Sequence, residues 1–230
     1  VEKLKTDDDP EVETFLRESA RELGITNTLM FYERAFILIE GDSEENALPI
    51  LYRKIYEHSL LEDGIRLINV KGNGAFKEFL RLFNLNRKEL TIVFIDSDAR
   101  NTDVAKLTEK TLRLAGFDDG FIDKRLQYIG DQEFEDAFSN KNIARCLQKK
   151  WTKSEGEWGP KDIEPLRSKD IKFSVALWED LVSQQTKEEL RSDWKKPDFA
   201  IELARCCNRD EIPEAIRSLF KLAREVAGSE

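Results

Sequence analysis

The chain has 230 residues, of which 40% are hydrophobic and 36% charged, with a formal net charge of −9. That length can bury a sizeable core, as one large domain or one domain with an insert. The acidic balance argues against a broadly basic nucleic-acid surface. No apolar run approaches the roughly 20 residues of a membrane span, and no signal peptide is expected.

Two further compositional features set expectations. The three cysteines, Cys146, Cys206 and Cys207, form no disulfide framework and no C-x-x-C spacing, so a reducing cytoplasm is the expected compartment. The chain begins at Val1 and its only methionine is Met30, so it is expected to be an excised piece of a longer polypeptide.

In chain order, Asp9 and Pro10 make a helix start, with Val12, Phe15, Leu16 and Leu23 as its apolar stripe and Gly24 as its stop. Ala35–Ile39 is an unbroken apolar run ending in Glu40 and Gly41, which reads as a strand covered on both faces. Ser43 is placed to cap a following helix that runs to about His58, with Ala47, Leu48, Leu51 and Ile55 inward.

Ile65–Val70 is a second strand, ending in Lys71-Gly72-Asn73-Gly74 and then a helix with Phe76, Phe79, Leu80 and Phe83 on one face. Leu90–Ile95 is the third strand, and it delivers Asp96-Ser97-Asp98 at its end. A helix from about Asp103 to Leu114, stopped by Gly116, leads to a fourth strand at Arg125–Ile129. This alternation predicts a parallel open α/β sheet. If the order is flavodoxin-like, the ends of strands one and three are neighbours, and the crevice between them is the expected site.

Beyond Ser139 the pattern becomes charged and carries three of the four tryptophans, Trp151, Trp158 and Trp178, with Trp194 at its edge. Residues 139–194 are expected to form a helical insert, with Lys153–Pro160 as a loop and Trp178, Leu181 and Val182 marking an amphipathic helix. Helices opened by Pro197 and Pro213 close the chain.

The groups suited to chemistry are acidic. Glu40 ends a strand and Glu44 lies one turn into the next helix, so both can face one crevice. Asp96 and Asp98, two apart in extended chain, share a side. Asp131, Glu133, Glu135 and Asp136 follow strand four. Hard oxygen donors in this number suit Mg²⁺ or Mn²⁺. The plainer explanation of any one of these residues is a solvated turn or cap. Lys196 stands before Pro197, where lysine serves poorly as a cap, and a cation supporting a pentavalent phosphate is the functional alternative. His58 is the only histidine, which argues against His-dependent nuclease chemistry and a Ser-His-Asp triad.

These residues resemble a Toprim domain, the catalytic fold shared by topoisomerases, primases and several nucleases, on Ile39-Glu40-Gly41 and Asp96-Ser97-Asp98. More narrowly, the run from Leu38 to Pro49, Gly72-Asn73-Gly74, the run from Ile129 to Asp136, and Lys196-Pro197-Asp198-Phe199-Ala200 are similar to OLD-family (overcoming lysogenisation defect) endonucleases. The resemblance implies a Toprim-like α/β parallel sheet flanked by helices, with an added helical insert and C-terminal helices. The implied organisation is a lead-in helix over 1–30, a catalytic core over 31–138, an insert over 139–194 and completing helices over 195–230.

It further implies that Glu40, Glu44, Asp96 and Asp98 bind metal, that Glu133 or Glu135 or both complete a second metal site, and that Lys196 offsets transition-state charge. Catalytic roles then fall to Glu40, Asp96, Asp98 and Lys196. The implied activity is two-metal cleavage of double-stranded DNA, supercoiled DNA included, with two ions about 4 Å apart. ATP control and homodimerisation would come from an N-terminal ATPase domain of the full-length chain, in the setting of phage defence. The alternatives are a phosphatase of the HAD type, which also uses Asp-x-Asp after a strand, and a Toprim module that binds without cleaving.

Overall fold

A computed structural model describes residues 33–70, 76–101 and 107–229. The expected helix before Gly24, the Gly72-Asn73-Gly74 turn and the start of the helix expected at Asp103 lie outside the described residues.

Four strands, β1 (Ala35–Ile39), β2 (Ile65–Asn69), β3 (Thr91–Asp96) and β4 (Leu126–Ile129), form one parallel sheet in the order β2-β1-β3-β4. The flavodoxin-like neighbourhood of strands one and three is therefore present, with Leu38 opposite Val93. Strand alternation splits the apolar runs between two cores. Ile37, Ile39, Ile92 and Phe94 enter one, and Phe36, Leu38, Val93 and Ile95 the other. This is why Ala35–Ile39 and Ile92–Ile95 are unbroken apolar runs.

On the second face lie α2 (Phe76–Asn86), α3 (Glu109–Leu114) and α4 (Asp119–Arg125), through Phe79, Phe83, Leu112 and Phe121. The short α4 was not expected. Asp118 caps it, its carboxylate accepting the Phe121 N–H at 2.9 Å, and it shortens the fourth strand to begin at Leu126. The helix expected from Asp103 has its described part start at Glu109, where Thr108 accepts the Thr111 N–H at 3.1 Å.

The first face carries α1 (Asp42–Tyr56), α5 (Asn140–Lys150), α6 (Pro160–Ile163), α7 (Phe173–Ala176), α8 (Ser183–Gln185), α9 (Glu188–Arg191), α10 (Lys196–Cys206) and α11 (Glu214–Ala227). The residues expected as an insert share one core with the sheet. Trp151, Trp158, Ile163 and Leu177 belong to the same buried cluster as Ile37 and Phe94. Trp151 is fully buried with ring centroids 4.9 Å from Trp194 and 5.9 Å from Phe199, which joins this stretch to α10. Leu177–Val182, between α7 and α8, winds as a π-helix, so Leu177, Leu181 and Val182 turn inward while Trp178 stacks on Trp194.

His58 joins a separate cluster at the other end of α1. Its Nε2 lies 2.8 Å from the Asp63 carboxylate, which also accepts from Arg224 at 2.6 Å and from Tyr52. Among the described residues no helix is long and apolar enough to cross a membrane.

Candidate active site

The site sits where β1 and β3 end side by side, with their neighbouring connections leaving in opposite directions. Such a switch point opens a crevice at the carboxyl ends of the strands. Glu40 follows β1, and its Oε2 accepts the Leu107 N–H at 3.0 Å. Gly41 then precedes α1 in extended backbone, without a side-chain cap. A Cβ at Gly41 would stand 2.1 Å from Glu44 Oε2, so the missing side chain lets the Glu44 carboxylate fold back over its own helix start. Ser43, expected as the cap, is already inside α1. Its hydroxyl donates instead to Glu135 Oε1 at 2.6 Å.

Asp96 ends β3 near Glu44. Burial raises both carboxyls, and each one's negative neighbours add to it: Glu44 and then Glu135 and Glu133 act on Asp96, and Glu40 acts on Glu44.

The β4 end is held by a rigid turn. Gly130 has φ +69°, and a Cβ there would meet the Glu133 carbonyl at 2.0 Å. The Asp136 carboxylate accepts the N–H groups of Asp131, Gln132 and Glu133 at 2.7, 2.8 and 2.9 Å. Ser97 donates to the Gly130 carbonyl at 2.7 Å, and the Asp98 N–H to the Gln132 carbonyl at 3.0 Å, which tie the β3 and β4 ends together. The turn sends both Glu133 and Glu135 inward, each fully buried.

Lys196 bridges that pair. Its Nζ is 2.7 Å from Glu133 Oε2 and 3.2 Å from Glu135 Oε2. Burial alone would lower the ammonium, but the carboxylates of Glu135 and Glu133 outweigh it and hold Lys196 protonated. Burial pushes Glu135 up to about 7 despite Lys196. Lys195 is the N-cap and Lys196 the first helical residue of α10, one place further in than expected. Glu133 has a second anchor, accepting from the backbone N–H and, at 3.0 Å, the hydroxyl of Ser174.

The structure thus brings Glu44, Asp96, Glu133, Glu135 and Lys196 into one cluster, with Glu40 beside Glu44. Asp98 stands at the margin, its carboxylate 2.7 Å from Lys172. Sequence reasoning named Asp136 among the acidic candidates but gave Ser97 no role of its own and missed Lys172 and Ser174, which belong to a stretch with no periodic signal.

Among the described residues, no three His, Cys, Asp or Glu side chains stand as a formed metal-binding group. The donor chemistry nevertheless fits a hard cation. Glu44 Oε2, Asp96 Oδ1 and Glu135 Oε2 are buried without a hydrogen-bond partner, the last facing only the Lys196 ammonium. Orphaned buried carboxylate oxygens are costly unless a charge compensates them.

The parallel sheet flanked by helices, with carboxylates at its switch point, is a Toprim-like α/β fold. Residues 31–98 match the family described as overcoming lysogenization defect protein-like, TOPRIM domain, in agreement with the resemblance read from the sequence. The fold is similar to that of the C-terminal region of the Burkholderia pseudomallei OLD protein, with a TM-score of 0.52 at 22% identity, over 85% of this chain and 99% of that one. The C-terminal region of the Xanthomonas campestris pv. campestris OLD protein aligns at 19% identity and a TM-score of 0.49, over 87% and 96% of the two chains. No curated protein matches the chain.

Proposed function

We propose that this chain is the catalytic portion of a Mg²⁺- or Mn²⁺-dependent DNA endonuclease of the OLD type, cleaving phosphodiester bonds with two metal ions. One observation carries this reading: buried oxygens of Glu44 and Asp96 that accept no hydrogen bond lie with Glu135, which faces the Lys196 ammonium, at the β1/β3 switch point.

Glu40, Glu44, Asp96, Asp98, Glu133 and Glu135 are the residues that would hold the ions. Bound there, they would polarise the phosphodiester and supply a water nucleophile at neutral pH. The chain's own groups have distinct tasks. Glu44 and Asp96, whose carboxyls burial raises, would be deprotonated as ligands. Lys196 presents a fixed ammonium to the charge that develops on the phosphoryl oxygens, and it costs little reorganisation because Glu133 already holds it. Ser174 and Ser43 orient Glu133 and Glu135. His58 is committed to Asp63, so the proposed chemistry uses no histidine base.

Double-stranded and supercoiled DNA as substrate, an ATPase domain in the full-length chain with homodimerisation through it, a cytoplasmic setting and a role in phage defence extend this reading through the family resemblance. Nicking of supercoiled plasmid with Mg²⁺ or Mn²⁺ tests it. Wild type is expected to nick and Asp96→Ala to be at least about 100-fold slower; equal nicking by the two, or none by wild type, overturns the proposal.

A second reading, a Toprim module that binds without cleaving, is favoured by the ion pairing of Lys196 with both Glu133 and Glu135 and the lack of a formed metal group among the described residues. It predicts no change in Tm with either ion.

A further inference from the structure

The cations of the stretch preceding α7 divide by what they hold. Arg167 donates to the backbone carbonyls of Asp136 and Phe138 and to Asn140, which locks the acidic turn to α5. Lys169 pairs with Asp180 at 2.5 Å. Lys172 instead reaches back to Asp98 at 2.7 Å, while its side chain remains 51% exposed. Its neighbours Ile171 and Val175 are each 41% exposed, so this turn forms an open rim of the site. Two residues on, Ser174 is anchored to buried Glu133 through both its N–H and its hydroxyl, which fixes where the base of the Lys172 side chain stands. Lys172 is thus a tethered, solvent-facing cation whose partner is a carboxylate assigned above to metal.

We infer that Lys172 is a DNA-binding residue that leaves Asp98 for a backbone phosphate of the substrate when a divalent cation takes Asp98. The inference rests on the endonuclease reading. A cation at Asp98 repels the ammonium at short range, and the long lysine side chain can swing while its backbone stays pinned. The nearest new anion in a loaded site is the phosphodiester backbone. Lys196 has no such freedom, since two fully buried carboxylates hold it.

The test uses the 230-residue chain, a 20-base-pair duplex and fluorescence anisotropy across a salt series, with Ca²⁺ in one arm and EDTA in the other. In Ca²⁺, Lys172→Ala is expected to lower the slope of log affinity against log salt by about 0.9, the loss of one phosphate contact, with Lys172→Arg restoring it. In EDTA wild type and Lys172→Ala should share one slope. Lys221→Ala, on the exposed side of α11, should match wild type in both arms. Mn²⁺ titration by electron paramagnetic resonance should show Lys172→Ala binding the ion a few-fold more tightly, because a competing cation is gone. An unchanged slope in Ca²⁺, an equal loss in both arms, or unaltered Mn²⁺ affinity overturns the inference. If wild type binds and nicks DNA while Lys172 proves indifferent, only this inference falls; if wild type takes up neither ion nor duplex, the endonuclease reading falls with it.

Discussion

The Lys196 ammonium lies 2.7 Å from Glu133, two groups 63 positions apart in the chain that meet at the edge of a buried acidic cluster. Their pairing makes α10 a structural part of the site, since removing the cation leaves two fully buried carboxylates facing each other. Lys196→Ala should therefore destabilise the metal-free protein by about 2–4 kcal/mol, short of the full cost of breaking a buried pair because the ammonium is partly solvated. Lys196→Arg should recover most of that stability. Urea unfolding of the three proteins checks this, and an unchanged midpoint for Lys196→Ala would show that Glu133 and Glu135 are compensated elsewhere.

The raised carboxyls of Glu44 and Asp96 make stability depend on pH. Both carboxyls, and Glu135 with them, sit above their unfolded values, so the native state binds more protons than the unfolded one. Their stabilising contribution is complete below the ordinary carboxylate range and is lost as pH rises through the raised values, which for Glu135 is about 7. Cys206, lowered to about 6 chiefly by its hydrogen bond with Cys146, pulls the other way. The comparison must therefore be between variants. Relative to Asp96→Asn, the metal-free wild type should lose about 1–2 kcal/mol between pH 5 and 8, a few degrees in Tm, and saturating Mn²⁺ should abolish that difference. Parallel Tm profiles without metal would show that the Asp96 carboxyl is not raised in the native state.

Gly130 is required twice, for its positive φ and for the absence of a Cβ against the Glu133 carbonyl. Gly130→Ala should cost about 1–3 kcal/mol through backbone strain and displace the turn that Asp136 organises. Mn²⁺ titration is expected to show at least tenfold weaker binding than wild type. Wild-type affinity in a folded variant would mean that the turn does not set the site.

Trp151 tests whether residues 139–194 belong to the core of the sheet. Trp151→Ala should cost about 3–5 kcal/mol and lower one cooperative transition seen alike by far-ultraviolet dichroism and by tryptophan fluorescence. Two separated transitions would show an independently folding unit.

Much of this architecture was legible in the chain itself. Ala35–Ile39 was bounded as observed because an apolar run closed by Glu40 and Gly41 leaves little choice of ends. The acidic residues that gather around β1, β3 and β4 were readable because strand ends place their next residues in one crevice. What escaped was set by contacts distant in sequence. Ser43 looks like a cap but spends its hydroxyl on Glu135, 92 positions away. Ser174 and Lys172 meet Glu133 and Asp98 from 41 and 74 positions away, through the core that stretch shares with the sheet. The helix at Asp119–Arg125 was short enough to hide beside the strand it precedes, although Asp118 is an ordinary cap signal.

The central claim is that Glu44, Asp96 and Glu135 chelate divalent cations at the β1/β3 switch point. An anomalous difference map from a crystal of the chain soaked in Mn²⁺ tests it most directly. The account predicts manganese density in contact with the Glu44 and Asp96 carboxylates, with Lys172 withdrawn from Asp98. A map with no peak at these carboxylates at saturating Mn²⁺ would contradict it.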